Sequence, residues 1–230
     1  MSRKFNLLVF DWDGTLMDSE ARIVACLRAA IGDLELESRD EEALKNIIGL
    51  GLREAVSALY PGSNDDLLRR LTDRYRYHFL TADPTPSALF DGAEQMLRQL
   101  ADAGYLMAVA TGKGRAGLDK VLDETGVGAL FHATRCADET LSKPNPQMLH
   151  EVMDELGAER GETLMIGDTE YDMLMAQNAG TGALAVSYGV HTRERLLGCT
   201  PLGCIHDIRE LEVWLGEYGS IPAEQKERVK

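Results

Sequence analysis

The chain has 230 residues, 44% hydrophobic and 27% charged, a composition suited to a globular protein with room for one domain plus a sizeable insertion, or for two small domains. Its formal net charge of −14 argues against nucleic acid and anionic membrane as partners, because polyanions are bound by basic patches, while a few local cations still suffice for a small phosphorylated ligand. No apolar run approaches the ~20 residues that cross a bilayer, the apolar stretch in MSRKFNLLVFDWD is too short for a signal peptide, and Cys26, Cys136, Cys199 and Cys204 show no CxxC or zinc spacing. The expectation is a cytoplasmic protein whose thiols stay reduced and pack as small hydrophobes.

In chain order, Leu7–Phe10 reads as a strand buried on both faces. Between Met17 and Ala82 the apolar residues recur at helical spacing with no convincing strand: Ile23, Leu27, Ala30 and Ile31, then Leu44, Ile47 and Ile48, then Leu67, Leu71, Tyr75 and Phe79. The stretch ADPTPSALFDG, with two prolines, reads as a connector. Further strands are expected at Leu106–Ala110, Leu164–Ile166 and Ala183–Val186. Helices are expected around Met96, Leu97 and Leu100, around Leu118, Val121 and Leu122, and around Met148, Leu149, Val152, Met153 and Leu156. This alternation predicts an α/β protein: a Rossmann-like, doubly wound parallel sheet formed by residues 1–16 and 83–230, with an inserted all-helical cap domain over residues 17–82.

The first strand runs into two carboxylates, Asp11 and Asp13, which repel each other and do nothing for folding. A second strand ends in Thr111-Gly112-Lys113, a third in GDTEYD with Asp168 and Asp172, and between them SKPNP carries Lys143. Parallel strands end at one edge, so these groups should converge. A hard divalent cation would make the acids tolerable, and Mg²⁺ takes a few carboxylates while leaving positions for water and phosphate. Asp11, Asp13 and Asp168 read as that cage. Lys143, the Thr111 hydroxyl and the amides of Trp12, Gly112 and Lys113 read as donors to a bound phosphate.

These four stretches, DWDGT, the TG of the second strand, the lysine of SKPNP and GDTEYD, resemble the motifs of the haloacid dehalogenase superfamily. The resemblance covers essentially the whole chain and is nearest the branch of phosphoglycolate phosphatases and β-phosphoglucomutases. It implies a Mg²⁺-dependent phosphatase acting on a small phosphorylated metabolite, such as phosphoglycolate, pyrophosphate or a sugar phosphate. Asp11 would be the nucleophile that becomes an aspartyl-phosphate, and Asp13 the acid and base. Lys143 and Thr111 would stabilise the transferring group. The metal would take Asp11, Asp168 and, by the family pattern, the backbone carbonyl of Asp13 rather than its side chain. Asp172 would orient the site, or serve only as a helix-start acid.

The acid at Asp13 separates this chain from the dehalogenases proper, whose halide leaving group needs no proton. Thr15 reads as a support for Asp13 or as a plain turn hydroxyl, and the Trp12 ring as packing or as a substrate contact. In NIIGLGLREAV, Arg53 reads as a contact to a distal anion of the substrate or as a solvated helix charge, and Arg69, Arg70, Arg74 and Arg76 as a solvated face. A phosphomutase of the β-phosphoglucomutase kind shares the core motifs, whereas a non-catalytic protein that binds phosphate or a partner would have lost one or more core acids, and here Asp11, Asp13, Lys143 and Asp168 are all present.

Overall fold

The computed structural model describes residues 3–220. In chain order, β1 (Leu7–Phe10) leads to β2 (Met17–Asp18) and four helices: α1 (Glu20–Asp33), α2 (Glu41–Asn46), α3 (Leu52–Leu59) and α4 (Asp65–Tyr77). A π-helical turn, His78–Ala82, and the strand β3 (Ala88–Leu89) close this excursion. There follow α5 (Ala93–Asp102), β4 (Leu106–Thr111), α6 (Arg115–Thr125), β5 (Ala133–Cys136), α7 (Gln147–Leu156) and β6 (Thr163–Gly167). The described chain ends with α8 (Glu170–Ala179), β7 (Gly182–Val186), α9 (Arg193–Gly198), β8 (Gly203–Ile205) and α10 (Leu211–Ser220).

Six strands form one parallel sheet in the order β5-β4-β1-β6-β7-β8. Phe10 of β1 lies level with Val109 of β4 on one side and Ile166 of β6 on the other. The chain builds outward from β1 through β4 and β5, then recrosses to build β6, β7 and β8. That reversal opens a crevice at the carboxyl ends of β1, β4 and β6, where ligands bind in open α/β sheets.

Successive side chains of a strand point to opposite faces, so the central strands feed two cores. Leu8, Phe10, Val109 and Ile166 enter one layer with Leu97 of α5, Leu118 of α6 and Leu211 of α10. Leu7, Val9, Ala108 and Met165 enter the other, with Met148 and Val152 of α7 and Met175 and Ala176 of α8. Burial on both faces is why the central strands carry uninterrupted apolar runs.

Three features depart from the sequence reading. The edge strands β5 and β8 were not foreseen, because ATRC and GCI are too short and too polar or small to register as apolar runs. The segment read as strand-free opens with β2, which pairs antiparallel with β3 as a two-stranded ribbon. In α4 the buried face runs through Leu68, Leu71 and Tyr75 rather than Leu67. Steps of four residues drift around a helix of 3.6 residues per turn, whereas a 3–4 alternation stays on one face.

Cys26 and Cys136 are buried, Cys199 and Cys204 are half-buried, and all four are free thiols. No described helix is long and apolar enough to cross a membrane.

Candidate active site

The tip of β1 places Asp11 at the centre of the crevice, its N–H donating to the Ile166 carbonyl of β6 at 2.9 Å. Its side chain is buried. Oδ1 accepts the Trp12 N–H at 2.7 Å and lies 2.8 Å from Nζ of Lys143. Oδ2 is buried with no hydrogen-bond partner. Lys143 Nζ also donates to Asp172 Oδ1 at 2.6 Å. The other oxygen of Asp172 accepts the Thr169 N–H at 3.0 Å and the Thr169 hydroxyl at 2.7 Å, closing the capping box that starts α8.

Asp168 sits one residue past β6. Its Oδ1 accepts the Thr15 hydroxyl at 2.8 Å and its Oδ2 the Val190 N–H at 2.8 Å. The chain can turn beside it only at a glycine. Gly14 has φ +81°, and a Cβ there would stand 2.2 Å from Asp168 Oδ2.

Three buried carboxylates therefore face one ammonium. Burial pushes the Asp11 carboxyl well above the ordinary carboxylate range; Lys143 pulls it back, and Asp172 and Asp168 push it further up. Asp168 is pushed up to about 7, chiefly by burial and then by Asp172. Burial alone would lower Lys143, but the carboxylates of Asp11 and Asp172 hold its ammonium above the usual lysine range. Carboxylate oxygens of Asp11, Asp168 and Asp172 lie within 4.8 Å of one another. An all-oxygen donor set, a local excess of negative charge and the orphaned Oδ2 of Asp11 together fit a hard divalent cation.

Asp13 belongs to a different cluster. Its Oδ1 accepts the Ser19 hydroxyl at 2.6 Å, and its Oδ2 pairs with Lys113 Nζ at 2.9 Å. That ammonium lies 4.1 Å from the centre of the Phe79 ring. Asp11, Asp13, Thr111, Gly112 and Lys113 line the core side of a cavity of about 80 Å³ between the sheet edge and the helical insertion. The two walls meet closely, since a Cβ on Gly112 would stand 2.5 Å from the Gly49 carbonyl.

The structure thus brings Asp11, Asp13, Thr111, Lys143, Asp168 and Asp172 to one edge, but rearranges the pairings expected of them. Asp172, not the Asp13 carboxylate, completes the acidic trio, because the turn at Gly14 sends Asp13 toward Ser19 and Lys113. Thr15 supports Asp168 rather than Asp13. The Trp12 N–H is taken by Asp11, and the Lys113 N–H donates to the Thr111 hydroxyl at 3.1 Å. Of the three amides expected to bind phosphate, Gly112 alone is uncommitted among the described residues. The Trp12 ring is fully buried, edge-on to Phe131. Arg53 lies outside the cavity, its side chain 62% exposed and paired with Asp65, whereas Arg76 of the expected solvated face lines it.

Sequence reasoning missed Ser19, Thr169 and the ammonium of Lys113. The S/T-x-x-D pattern of Thr169 and Asp172 was available as a helix-start signal. Ser19 carried none, because it reaches Asp13 only through the ribbon.

The sequence profile of the haloacid dehalogenase-like hydrolases matches residues 8–186. The chain belongs to this family. It is 34% identical over 199 residues to "Probable phosphatase IndB" of Dickeya dadantii, spanning 85% of this chain and 86% of that protein. It is 26% identical over 217 residues to a phosphoglycolate phosphatase of Colwellia psychrerythraea, spanning 91% of this chain and 96% of the relative. Among solved structures, a hydrolase from Pseudomonas syringae superposes with a TM-score of 0.85 at 22% identity, covering 94% of this chain and 100% of the other. At that identity the likeness speaks for the shared fold. The residues that the sequence resemblance singled out are the ones that converge here: the β1 aspartates, Thr111, Lys143 and the acids after β6.

Proposed function

We propose that the chain is a Mg²⁺-dependent phosphatase that hydrolyses a small phosphorylated metabolite through an aspartyl-phosphate on Asp11, with segment 17–82 acting as a cap over a core of residues 1–16 and 83–230. One observation carries the reading. Asp11 lines the cavity with one oxygen fixed by Lys143 and the other buried without a partner. The oxygen held by Lys143 and the Trp12 N–H is aimed for attack on phosphorus, and the orphaned one is left for the cation. The names of the relatives, a phosphatase and a phosphoglycolate phosphatase, agree with it.

Asp11 and Asp168 are the side chains that would hold Mg²⁺, with the Asp13 carbonyl as the family pattern implies, since Asp172 is already neutralised by Lys143 while Asp168 accepts only from the neutral Thr15 hydroxyl and Val190 N–H. When bound, the ion supplies positive charge that lets the carboxylate meet a phosphate dianion. Asp11 attacks phosphorus as the bond to the ester oxygen breaks, and Asp13 delivers a proton to that departing oxygen. Asp13 then takes a proton from the water that cleaves the aspartyl-phosphate, releasing inorganic phosphate and restoring Asp11. Lys143, the Thr111 hydroxyl and the Gly112 amide stabilise charge on the transferring group. Asp172 keeps Lys143 in place.

The test is phosphate release from p-nitrophenyl phosphate and a panel of phosphorylated metabolites with Mg²⁺. Activity should vanish with a chelator and fall by roughly 10³-fold or more in Asp11→Asn. Full activity in that variant would remove the proposal, and conversion of β-glucose 1-phosphate without free phosphate would reassign the chain to the mutases.

A further inference from the structure

The cavity in front of Asp11 also carries information about the rest of the substrate. Its cap side is built from Leu27, Ile48, Leu50, Tyr75, Phe79 and Leu80. The space is about 80 Å³, where about 10–15 Å³ holds one water, so it has room for several waters or one ring-sized group.

The charged groups facing this space are Asp11, Asp13, Asp138, Lys113 and Arg76. Both cations already face acids. Lys113 is paired with Asp13 at 2.9 Å, and Arg76 lies 3.9 Å from Asp138 and 3.8 Å from Asp73. Arg53, the arginine that a distal anion would have used, faces out to Asp65. A second carboxylate or phosphate on the substrate would therefore be desolvated among acids and would have to compete with them for these two cations. A sugar fares little better, because the cap wall presents the Tyr75 hydroxyl, Arg76 already facing acids, the Gly49 and Leu50 carbonyls turned to Gly112, and otherwise carbon, so most of its hydroxyls would lose water without replacement.

We infer that the substrate is a phosphate monoester of an uncharged, largely apolar alcohol, whose carbon body fills the space beneath the cap. This rests on the phosphatase reading for where the phosphate sits, and it points away from phosphoglycolate, pyrophosphate and sugar phosphates. Tyr75, stacked on Phe79 with centroids 5.9 Å apart, supplies a flat wall for a ring.

Binding of two non-hydrolysable phosphonates tests the class apart from catalysis. Calorimetry with Mg²⁺ should give benzylphosphonate a Kd at least about tenfold below that of phosphonoacetate, the effect of burying a methylene or two. Equal affinities, or a preference for phosphonoacetate, would overturn the inference and leave the phosphatase reading standing. Leu50→Arg, which adds an unpaired cation to the cap wall, should shift the ratio toward phosphonoacetate by about tenfold or more. Should that variant fail to fold, the wild-type ratio decides alone. Turnover separates the two claims: a benzylphosphonate preference with no phosphate released from benzyl phosphate, p-nitrophenyl phosphate or the metabolite panel supports the apolar class and sinks the phosphatase.

Discussion

Lys143 donates to Asp172 at 2.6 Å across 29 residues of chain, and that bond holds its ammonium against Asp11 with no solvent around it. Replacing Lys143 with Met leaves two buried carboxylates without their cation. Breaking a buried pair in this way costs about 3–5 kcal/mol, or roughly 10 °C in Tm for a chain of this size. Thermal melts in a chelator should show the drop, larger at pH 8 than in acid, where the carboxyls can take up protons. An unchanged melting temperature would mean that Lys143 has no part in holding the site together.

Metal and protons compete for the same oxygens, so the benefit of Mg²⁺ should depend on pH. Asp11 and Asp168 are raised above their unfolded values, Asp168 to about 7. An acid raised by folding binds its proton more tightly in the native state. Its burial therefore costs nothing below the unfolded pKa, and the cost grows as pH climbs through the folded one. Protein stripped of metal should lose stability between about pH 4 and pH 7 from Asp168, and from Asp11 as pH rises above about 4, and Mg²⁺ should restore it. The Mg²⁺-induced rise in Tm should be larger at pH 8 than at pH 5.5, and an equal rise at both would contradict the assignment.

Arg53 pairs with Asp65 on the outer side of the cap, where an ion pair is worth about 0–1 kcal/mol. Arg53→Ala should leave kcat and KM within about twofold of wild type for any substrate turned over. A rise in KM of tenfold or more would show that Arg53 swings into the cleft when substrate arrives.

Gly112 permits the nearest approach of core to cap, with the Gly49 and Leu50 carbonyls 2.5 Å and 2.6 Å from where its Cβ would be. The obstacle is backbone, so it cannot rotate aside as a side chain could. Gly112→Ala should keep the fold but prop the cap open, lowering kcat/KM at least about tenfold. Hydrogen exchange at residues 49–51 should quicken. Normal kinetics with unchanged exchange would show that closure does not depend on this contact.

Much of this architecture was legible because the central strands are covered on both sides. Leu7–Phe10 and Leu106–Ala110 had to be apolar throughout, and their ends had to share an edge. The edge strands β5 and β8 escaped notice because one side of each has no strand beside it, which relaxes the demand for carbon. At the site, residue types and meeting place were readable from spacing, while the pairings were not. Whether Thr15 reaches Asp13 or Asp168 depends on the turn at Gly14, and whether Lys113 offers its amide or its ammonium depends on Phe79 lying beneath it. Both are settled by contacts between segments far apart in the chain.

The ladder that joins Met17–Asp18 to Ala88–Leu89 puts the exit and the re-entry of the chain side by side, about 4.8 Å apart as in any sheet. Whatever is strung between those two points adds little entropic burden to closing β1 against β4, because its ends already meet. The excursion thus leaves and rejoins the sheet at a single gateway, so its length is free of the spacing between β1 and β4, even though Ile23, Leu27 and Phe79 pack into one core with Leu8 and Phe10.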